Sequence, residues 1–221
     1  NMAYLNSVEN ANKTGLEYAK KALAEADAMN SVNLKCLAFN NIAMCYYNLN
    51  YRDSAMLYME RNKQYVHKIQ PEENRAVVLT NIGVIYYDNK MYKEADSLFR
   101  QAITILPIST TRINLAKTSS ALGDNSKADS LLRLAWPDAD NEEKAEILQF
   151  LAERAEKRGD DKSAASLYKR AKAMQDSVNA DRKAEEAVAT QRDYEHEEYK
   201  EDVKKGEAWG AAAAAAVALL A

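Results

Sequence analysis

Apolar residues recur along the chain at three- and four-residue spacing, in runs that are separated by short polar segments. This spacing places the apolar side chains on one face of a helix. The intervening segments read NLNYRD, DNKMYKE, LGDNSK and RGDDKS. Gly123 and Gly159 in the last two favour the end of a helix followed by a turn. The pattern therefore predicts successive pairs of antiparallel helices.

Small residues recur at two fixed positions of each predicted pair, one in the first helix and one in the second. They are Ala43, Gly83, Ala116 and Ala152 in first helices, and Ala19, Ala55, Ala95, Ala128 and Ala164 in second helices. Small side chains allow two helices to approach closely, and a larger one would overpack the contact by roughly 1–3 kcal/mol. These residues therefore mark where the paired helices touch.

Each second-helix alanine is followed by a large apolar residue four positions later, and by another small residue three positions after that. These are Leu23, Met59, Phe99, Leu132 and Tyr168, and then Ala26, Asn62, Ala102, Ala135 and Ala171. Only Asn62 breaks the second series. The second-helix alanines are 36, 40, 33 and 36 residues apart, so an extra helical turn and a longer loop are expected before Pro71. A fixed period of this length indicates a repeat array.

The repeated pattern resembles the tetratricopeptide repeat family, whose period is about 34 residues. Residues 76–109 match best, with Leu79, Ile82, Gly83, Tyr86, Ala95, Phe99, Ala102 and Pro107 in register. Residues 36–69 also match, residues 109–142 and 145–178 lack the tyrosine and the closing proline, and residues 1–35 resemble the end of a preceding repeat. The resemblance implies an all-α fold, a right-handed superhelical solenoid of antiparallel helix pairs that is followed by a long C-terminal helix.

Composition agrees with helices joined by short turns. The 221 residues are 47% hydrophobic and 29% charged, and they include only six Gly and three Pro. The formal net charge is −3 and the repeats carry no basic stripe, which argues against nucleic acid as a partner of this region.

Residues that carry catalytic or metal chemistry are sparse. Cys36 and Cys45 lie nine positions apart on one predicted helix, too far to form a disulfide without unfolding it, so we interpret both as packing residues. The two histidines, His67 and His196, are distant in sequence and belong to no metal-ligand cluster. No nucleophile elbow or phosphate-binding glycine loop is present. The sequence therefore predicts no catalytic residue, no metal and no cofactor.

The resemblance implies that the first helices line a concave surface on which a peptide or protein binds. Asn41, Asn81 and Asn114 share one slot of the repeat, and an amide both donates and accepts, so this row suits a peptide main chain. The alternative is that these asparagines bond only the neighbouring repeat. Phe150 takes the slot in the last repeat. The candidate partner-binding residues are Asn40, Asn41, Met44, Tyr47, Asn48, Thr80, Asn81, Val84, Tyr87, Asn114 and Lys117.

Two tyrosines on this predicted face favour an extended peptide, because tyrosine provides contact area at a low entropy cost. A partner that presents a helix is the alternative. Members of the family that bind chaperones clamp a C-terminal carboxylate with several lysines and an arginine. Here Lys117 is nearly alone, so that specialised role is not expected.

The organisation changes after residue 178. Residues 179–207 are rich in Ala, Glu, Lys and Arg, which predicts a long charged helix that is either solvated alone or paired in a homodimeric coiled coil. Residues 208–221 carry no charge. As a helix they would reach about 20 Å, short of the roughly 30 Å of a bilayer core. They fit the start of a transmembrane helix, a linker, or alanines that stand in for unidentified side chains.

Repeats followed by a charged helix and an apolar segment are similar to the sensory half of membrane-bound regulators in Bacteroidetes bacteria. That resemblance implies periplasmic repeats, an inner-membrane anchor, and a histidine kinase or DNA-binding domain beyond it. No kinase or DNA-binding residues occur in this sequence. We therefore expect a non-catalytic interaction module, either the sensory region of a signalling or transcriptional regulator or a free-standing cytoplasmic adaptor. A third, weaker expectation is an accessory that holds a substrate for an enzyme.

Overall fold

A computed structural model describes the backbone of residues 2–219 and the side chains of residues 8–201 and 203–205. This part of the chain contains nine α-helices, one 3-10 helix and no strand. The helices are α1 (Met2–Ala28), α2 (Val32–Asn48), α3 (Arg52–Lys63), the 3-10 helix (Val66–Lys68), α4 (Glu72–Asp88), α5 (Tyr92–Ile105), α6 (Ser109–Ala121), α7 (Asn125–Ala135), α8 (Asn141–Lys157) and α9 (Asp161–Leu219). The predicted all-α fold of helix pairs is confirmed.

The chain divides into two compact units, residues 1–150 and residues 151–221. In the first unit α2 packs on α3, α4 on α5 and α6 on α7, while α1 packs on α2. Successive first helices also touch, because α2 contacts α4 and α4 contacts α6. In the second unit, Ala152, Ala155, Ala164 and Ala171 are buried.

The small residues of the repeat lie where the paired helices meet. Ala43, Ala55 and Ala95 are fully buried. At Gly83 of α4 a Cβ atom would lie only 2.6 Å from Cε1 of Phe99 in α5, so the ring occupies the space that any side chain would need. Phe99 is itself 0% exposed. The close approach of α4 and α5 therefore depends on glycine.

Each described helix pair turns through a left-handed residue at the same slot of the repeat. The residues, with their φ angles, are Asn50 (62°), Lys90 (62°), Gly123 (92°) and Gly159 (74°). The amide after each donates back into the last turn of the first helix, as from Met91 N to Tyr86 O at 2.9 Å. Asparagine tolerates this conformation and glycine adopts it freely, whereas lysine is strained there.

A longer connection joins α3 to α4, as the 40-residue spacing predicted. It consists of the 3-10 helix and a short loop in which Ile69 is fully buried. Asn33 of α2 holds the loop, since its Nδ2 donates to Gln70 O and its Oδ1 accepts from Gln70 N, both at 3.0 Å. Helix α4 then begins at Glu72, directly after Pro71. The loop is thus a packed part of the first unit.

Helix α9 is 59 residues long. Its first turns bury Ala164 and Ala171, whereas Val188, Tyr194 and Tyr199 are 59–67% exposed. No helix within the described residues combines the length and the apolar character needed to cross a membrane. The side chains of the predicted apolar segment, residues 208–221, lie outside the description.

Candidate peptide-binding face

The candidate site is the surface formed by the first helices α2, α4 and α6, which we call the first-helix face. All the partner-binding residues predicted from the sequence lie on these three helices. Residues two turns apart on one helix share a side of it. Asn41 and Asn48 thus lie on one side of α2, and the residues at the same places one repeat later are Asn81 and Asp88 of α4.

Two of the predicted asparagines join neighbouring repeats. Asn81 of α4 donates from Nδ2 to Oδ1 of Asn40 in α2 at 3.0 Å, and Asn40 donates in turn to Oδ1 of Asn41 at 3.3 Å. Asn40 is 7% exposed. The amide of Asn81 thus bonds the preceding repeat, as one of the two interpretations of the sequence expects, and its contact with a partner stays a prediction.

Asn41 and Asn114 differ from Asn81. Asn41 is exposed, and within the described residues its amide nitrogen donates no hydrogen bond, although its oxygen accepts one from Asn40. Asn114 is half-buried, and its side chain makes no hydrogen bond within the same part of the chain. At least one donor on each of these two side chains thus remains available to a ligand.

Thr80 lies inside the first unit and not on its accessible surface. It is 6% exposed, and its hydroxyl lies 3.0 Å from Ala76 O and 3.1 Å from Oγ1 of Thr111 in α6. Both contacts pack α4 internally or against α6. Thr80 was predicted to be a binding residue, but its hydroxyl is occupied in this structure.

Tyr47 of α2 reaches the next repeat. Its phenol donates to Oδ2 of Asp88, the last residue of α4, at 2.5 Å. Burial raises the pKa of Tyr47 well above its usual value, and the hydrogen bond to Asp88 raises it further. The phenol therefore stays protonated, and remains a hydrogen-bond donor, throughout the physiological pH range.

The remaining polar residues of the face also contact neighbouring elements. Lys117 of α6 forms an ion pair with Glu146 of α8, and Asn48 donates from Nδ2 to Oδ1 of Asn12 in α1 at 3.0 Å. The ring of Tyr87 lies 5.4 Å from that of Tyr92, centroid to centroid, with a tilt of 57°. Lys117 is thus neutralised by a carboxylate.

Apolar side chains lie between these polar groups. Met44 and Val84 share one slot on α2 and α4, and both are half-buried. Val77, one turn before Asn81, is 44% exposed. The face therefore offers apolar contact beside the two available asparagines.

The two cysteines of the described residues are free thiols. Cys36 is fully buried, and burial raises the pKa of its thiol to about 11. Burial also raises the pKa of the half-buried Cys45 thiol, and neither cysteine is in a disulfide. Both thiols are thus held in the unreactive protonated form. Among the described residues, no three His, Cys, Asp or Glu side chains are placed to hold a metal ion.

Residues 75–106 match the family model of the tetratricopeptide repeat. The chain has the tetratricopeptide repeat fold. The matched segment coincides with α4 and α5, the pair that follows the family pattern most closely. No curated protein matches the sequence.

Several solved structures share this tetratricopeptide fold. A putative kinesin light chain with nearly identical repeats from Podosopora anserina aligns with a TM-score of 0.56 and 16% identity, over 80% of this chain and 93% of that one. BtubC from P. vanneervenii aligns with a TM-score of 0.54 and 14% identity, over 79% of this chain and 92% of that one. The apo form of RapI aligns with a TM-score of 0.59 and 16% identity, over 77% of this chain but only 49% of that one. Likenesses at these identities establish the fold alone.

Two carboxylates that bond the residues of this face were not predicted from the sequence. Asp88 lies 41 residues from Tyr47, and Glu146 lies 29 residues from Lys117. Asp88 takes the place of Asn48 one repeat later, and this correspondence could have identified Asp88 as a residue of the face.

Proposed function

We propose that the first-helix face binds an extended peptide segment of a protein partner, so that the chain works as a non-catalytic interaction module. The observation that carries the proposal is the unused hydrogen-bonding capacity of Asn41 and Asn114. An extended peptide presents main-chain donors and acceptors at regular intervals, and an amide side chain can engage them without reading the peptide sequence.

Apolar contact supports the same function. Met44 and Val84 occupy successive first helices beside the asparagine slot and leave part of their side chains accessible. Burying such surface against a ligand contributes about 25 cal/mol per Å². Main-chain hydrogen bonds would set the position of the peptide, and these apolar slots would add to its affinity.

The test uses dodecapeptides selected from a random phage-displayed library against the full chain, with affinities measured by fluorescence anisotropy. The double variant Asn41→Ala, Asn114→Ala should weaken binding by about tenfold, because each lost hydrogen bond contributes roughly 0.5–1.5 kcal/mol. Gln101→Ala on the second helix α5 is the matched control and should leave the affinity unchanged. Unchanged affinity in the double variant would reject the proposal.

Circular dichroism separates binding from folding. Asn114 makes no side-chain hydrogen bond within the described residues, and Asn41 only accepts one long bond, 3.3 Å, from Asn40 of its own helix. The double variant should therefore keep the helicity and the melting temperature of the parent within a few degrees. Asn81→Ala removes the bond to Asn40 and should lower the melting temperature instead. A collapse of helicity in the double variant would indicate that these asparagines hold the repeats together.

For the wider context we favour the sensory region of a larger membrane-bound regulator, with the repeats in the periplasm. The specific observation in support is that α9 continues as a single helix from its buried start at Ala164 to the exposed Tyr199. One continuous helix is a suitable connection between a binding array and an output domain. The alternative is a free-standing cytoplasmic adaptor. The sequence of the complete open reading frame decides: an output domain supports the first, and its absence the second.

We also propose that exposed apolar residues on α9 pair two copies of the chain. Val188, Tyr194, Tyr199 and Val203 are all more than 40% exposed. Light scattering after gel filtration would report a dimer, and Val188→Asp with Tyr199→Asp should return it to a monomer. If the unmodified chain is still a monomer at about 100 µM, the pairing is rejected.

A further inference from the structure

We propose that Asp88 anchors a positively charged side chain, a lysine or an arginine, of the bound peptide. The inference rests on the function proposed above and adds the chemistry of the ligand to it. Asp88 is the last residue of α4, the central helix of the first-helix face, and its side chain is half-buried. Its carboxylate is therefore fixed by the fold but accessible from outside.

Tyr47 holds the carboxylate in place without neutralising it. The phenol donates to Oδ2 at 2.5 Å, and Oδ1 makes no hydrogen bond with the described residues. Because the phenol is neutral, this hydrogen bond places no positive charge beside Asp88. One oxygen is thus positioned by the protein and the other remains open to a ligand.

The helix end adds to the attraction for a cation. The C-terminal turn of an α-helix carries a partial negative charge, and cations near it are stabilised. Asp88 lies on that turn of α4. The carboxylate and the helix end therefore act in the same direction on a positively charged group.

Two other charged groups, Glu146 and Arg52, act on Tyr47 near this point. Glu146 is paired with Lys117, so it offers little net charge. The guanidinium of Arg52 is close enough to lower the pKa of Tyr47 slightly, against the stronger effect of burial, and its Nε donates to Oδ1 of Asn50 at 3.4 Å. Within the described residues Asp88 makes no ion pair, and the hydrogen bond that holds its carboxylate comes from the neutral phenol of Tyr47.

The position is specific to one repeat. In α2 the same slot holds Asn48, which bonds Asn12 of α1, and in α6 it holds Ala121. In this row of slots a peptide would therefore meet one carboxylate, that of Asp88, with Met44 and Val84 one helical turn away. This arrangement favours a basic side chain at one fixed position of the ligand, flanked by apolar residues.

The experiment compares each selected dodecapeptide with a copy in which one Lys or Arg is replaced by Met. Asp88→Asn keeps an acceptor for Tyr47 but removes the charge. It should weaken the basic peptide by about five- to tenfold and the Met peptide by less than about twofold. The difference should shrink between 0.05 and 0.5 M salt, roughly as the Debye length falls. Glu94→Gln on α5 is the matched control and should change neither affinity.

The outcomes separate this inference from the proposed function. If Asp88→Asn affects both peptides equally, or neither, the basic anchor is rejected, while the loss of binding in the Asn41 and Asn114 variant would leave the peptide-binding function standing. If no selected peptide binds the unmodified chain, both are rejected.

Discussion

The helix pairs α2–α3 and α4–α5 use the same repeat slots and fill them differently. In α4–α5 the small slot is Gly83, the large one is Phe99, and the last is the fully buried Ala102. In α2–α3 the same slots hold Ala43, Met59 and Asn62, all of them fully buried. One pair follows the family pattern closely and the other departs from it, although both belong to the same compact unit.

Two kinds of departure can be told apart. Ala43 with Met59 is an exchange of volume: one slot gains a methyl group while the other loses a rigid ring, so packing is preserved. Asn62 is not compensated in this way, because neither its Nδ2 nor its Oδ1 has a hydrogen-bond partner. A buried amide without partners destabilises a protein by roughly 1–3 kcal/mol. A repeat pair can thus keep its stability when volume is exchanged between two slots, whereas a buried polar side chain without a hydrogen-bond partner destabilises it.

The largest effect should come from exchanging the last slot between the pairs. Ala102→Asn places an amide at a fully buried position of α5 and should lower the free energy of unfolding by about 2–4 kcal/mol, from overpacking and desolvation together. Asn62→Ala is the reverse change and should raise it by about 1 kcal/mol. Urea denaturation measures both. A destabilised Asn62→Ala would show that this amide has a structural role.

The next effect concerns the contact of Gly83 with Phe99. Gly83→Ala forces a Cβ to within 2.6 Å of the ring and should destabilise the protein by roughly 1–3 kcal/mol, despite the better helix propensity of alanine. Adding Phe99→Met recreates the Ala43 and Met59 combination, and the double variant should be more stable than the sum of the single changes predicts. Strict additivity in thermal denaturation would contradict the volume exchange.

The smallest effect lies in the left-handed turns. Lys90→Gly should stabilise the protein by about 1 kcal/mol, because lysine is strained at a φ of 62°. Asn50→Gly at the matching position should stabilise the protein by only about 0.3 kcal/mol, since asparagine tolerates the conformation. Equal gains in the two melting temperatures would mean that strain at Lys90 is not what separates these turns.

The fold was predictable because its signals are local and repeated. The alanine and glycine slots, and the turns between them, are set by neighbours within one helix pair, so the sequence pattern carries them directly. The longer loop before Pro71 also followed from the spacing of the alanines. Lys90 shows the limit at this level, because no turn-favouring residue type marks its left-handed position.

The candidate site was less predictable because it depends on the stagger between repeats. Tyr47 contacts Asp88, and Asn81 contacts Asn40, only because α2 and α4 lie side by side at one particular offset. The sequence placed Thr80 on the same helix correctly, but its burial follows from the approach of Thr111 on α6. Contacts between neighbouring first helices thus decide which residues of the face remain accessible to a ligand.

The most direct test of the account is to map a selected dodecapeptide onto the chain by ¹⁵N–¹H NMR. If the peptide lies on the first-helix face, the side-chain amide signals of Asn41 and Asn114 should shift, together with the backbone signals of Met44, Val84 and Asp88. The side-chain and backbone signals of Gln101 in α5 should stay in place. Shifts confined to the second helices, or to α9, would show that the ligand binds elsewhere and would contradict the assignment of the first-helix face.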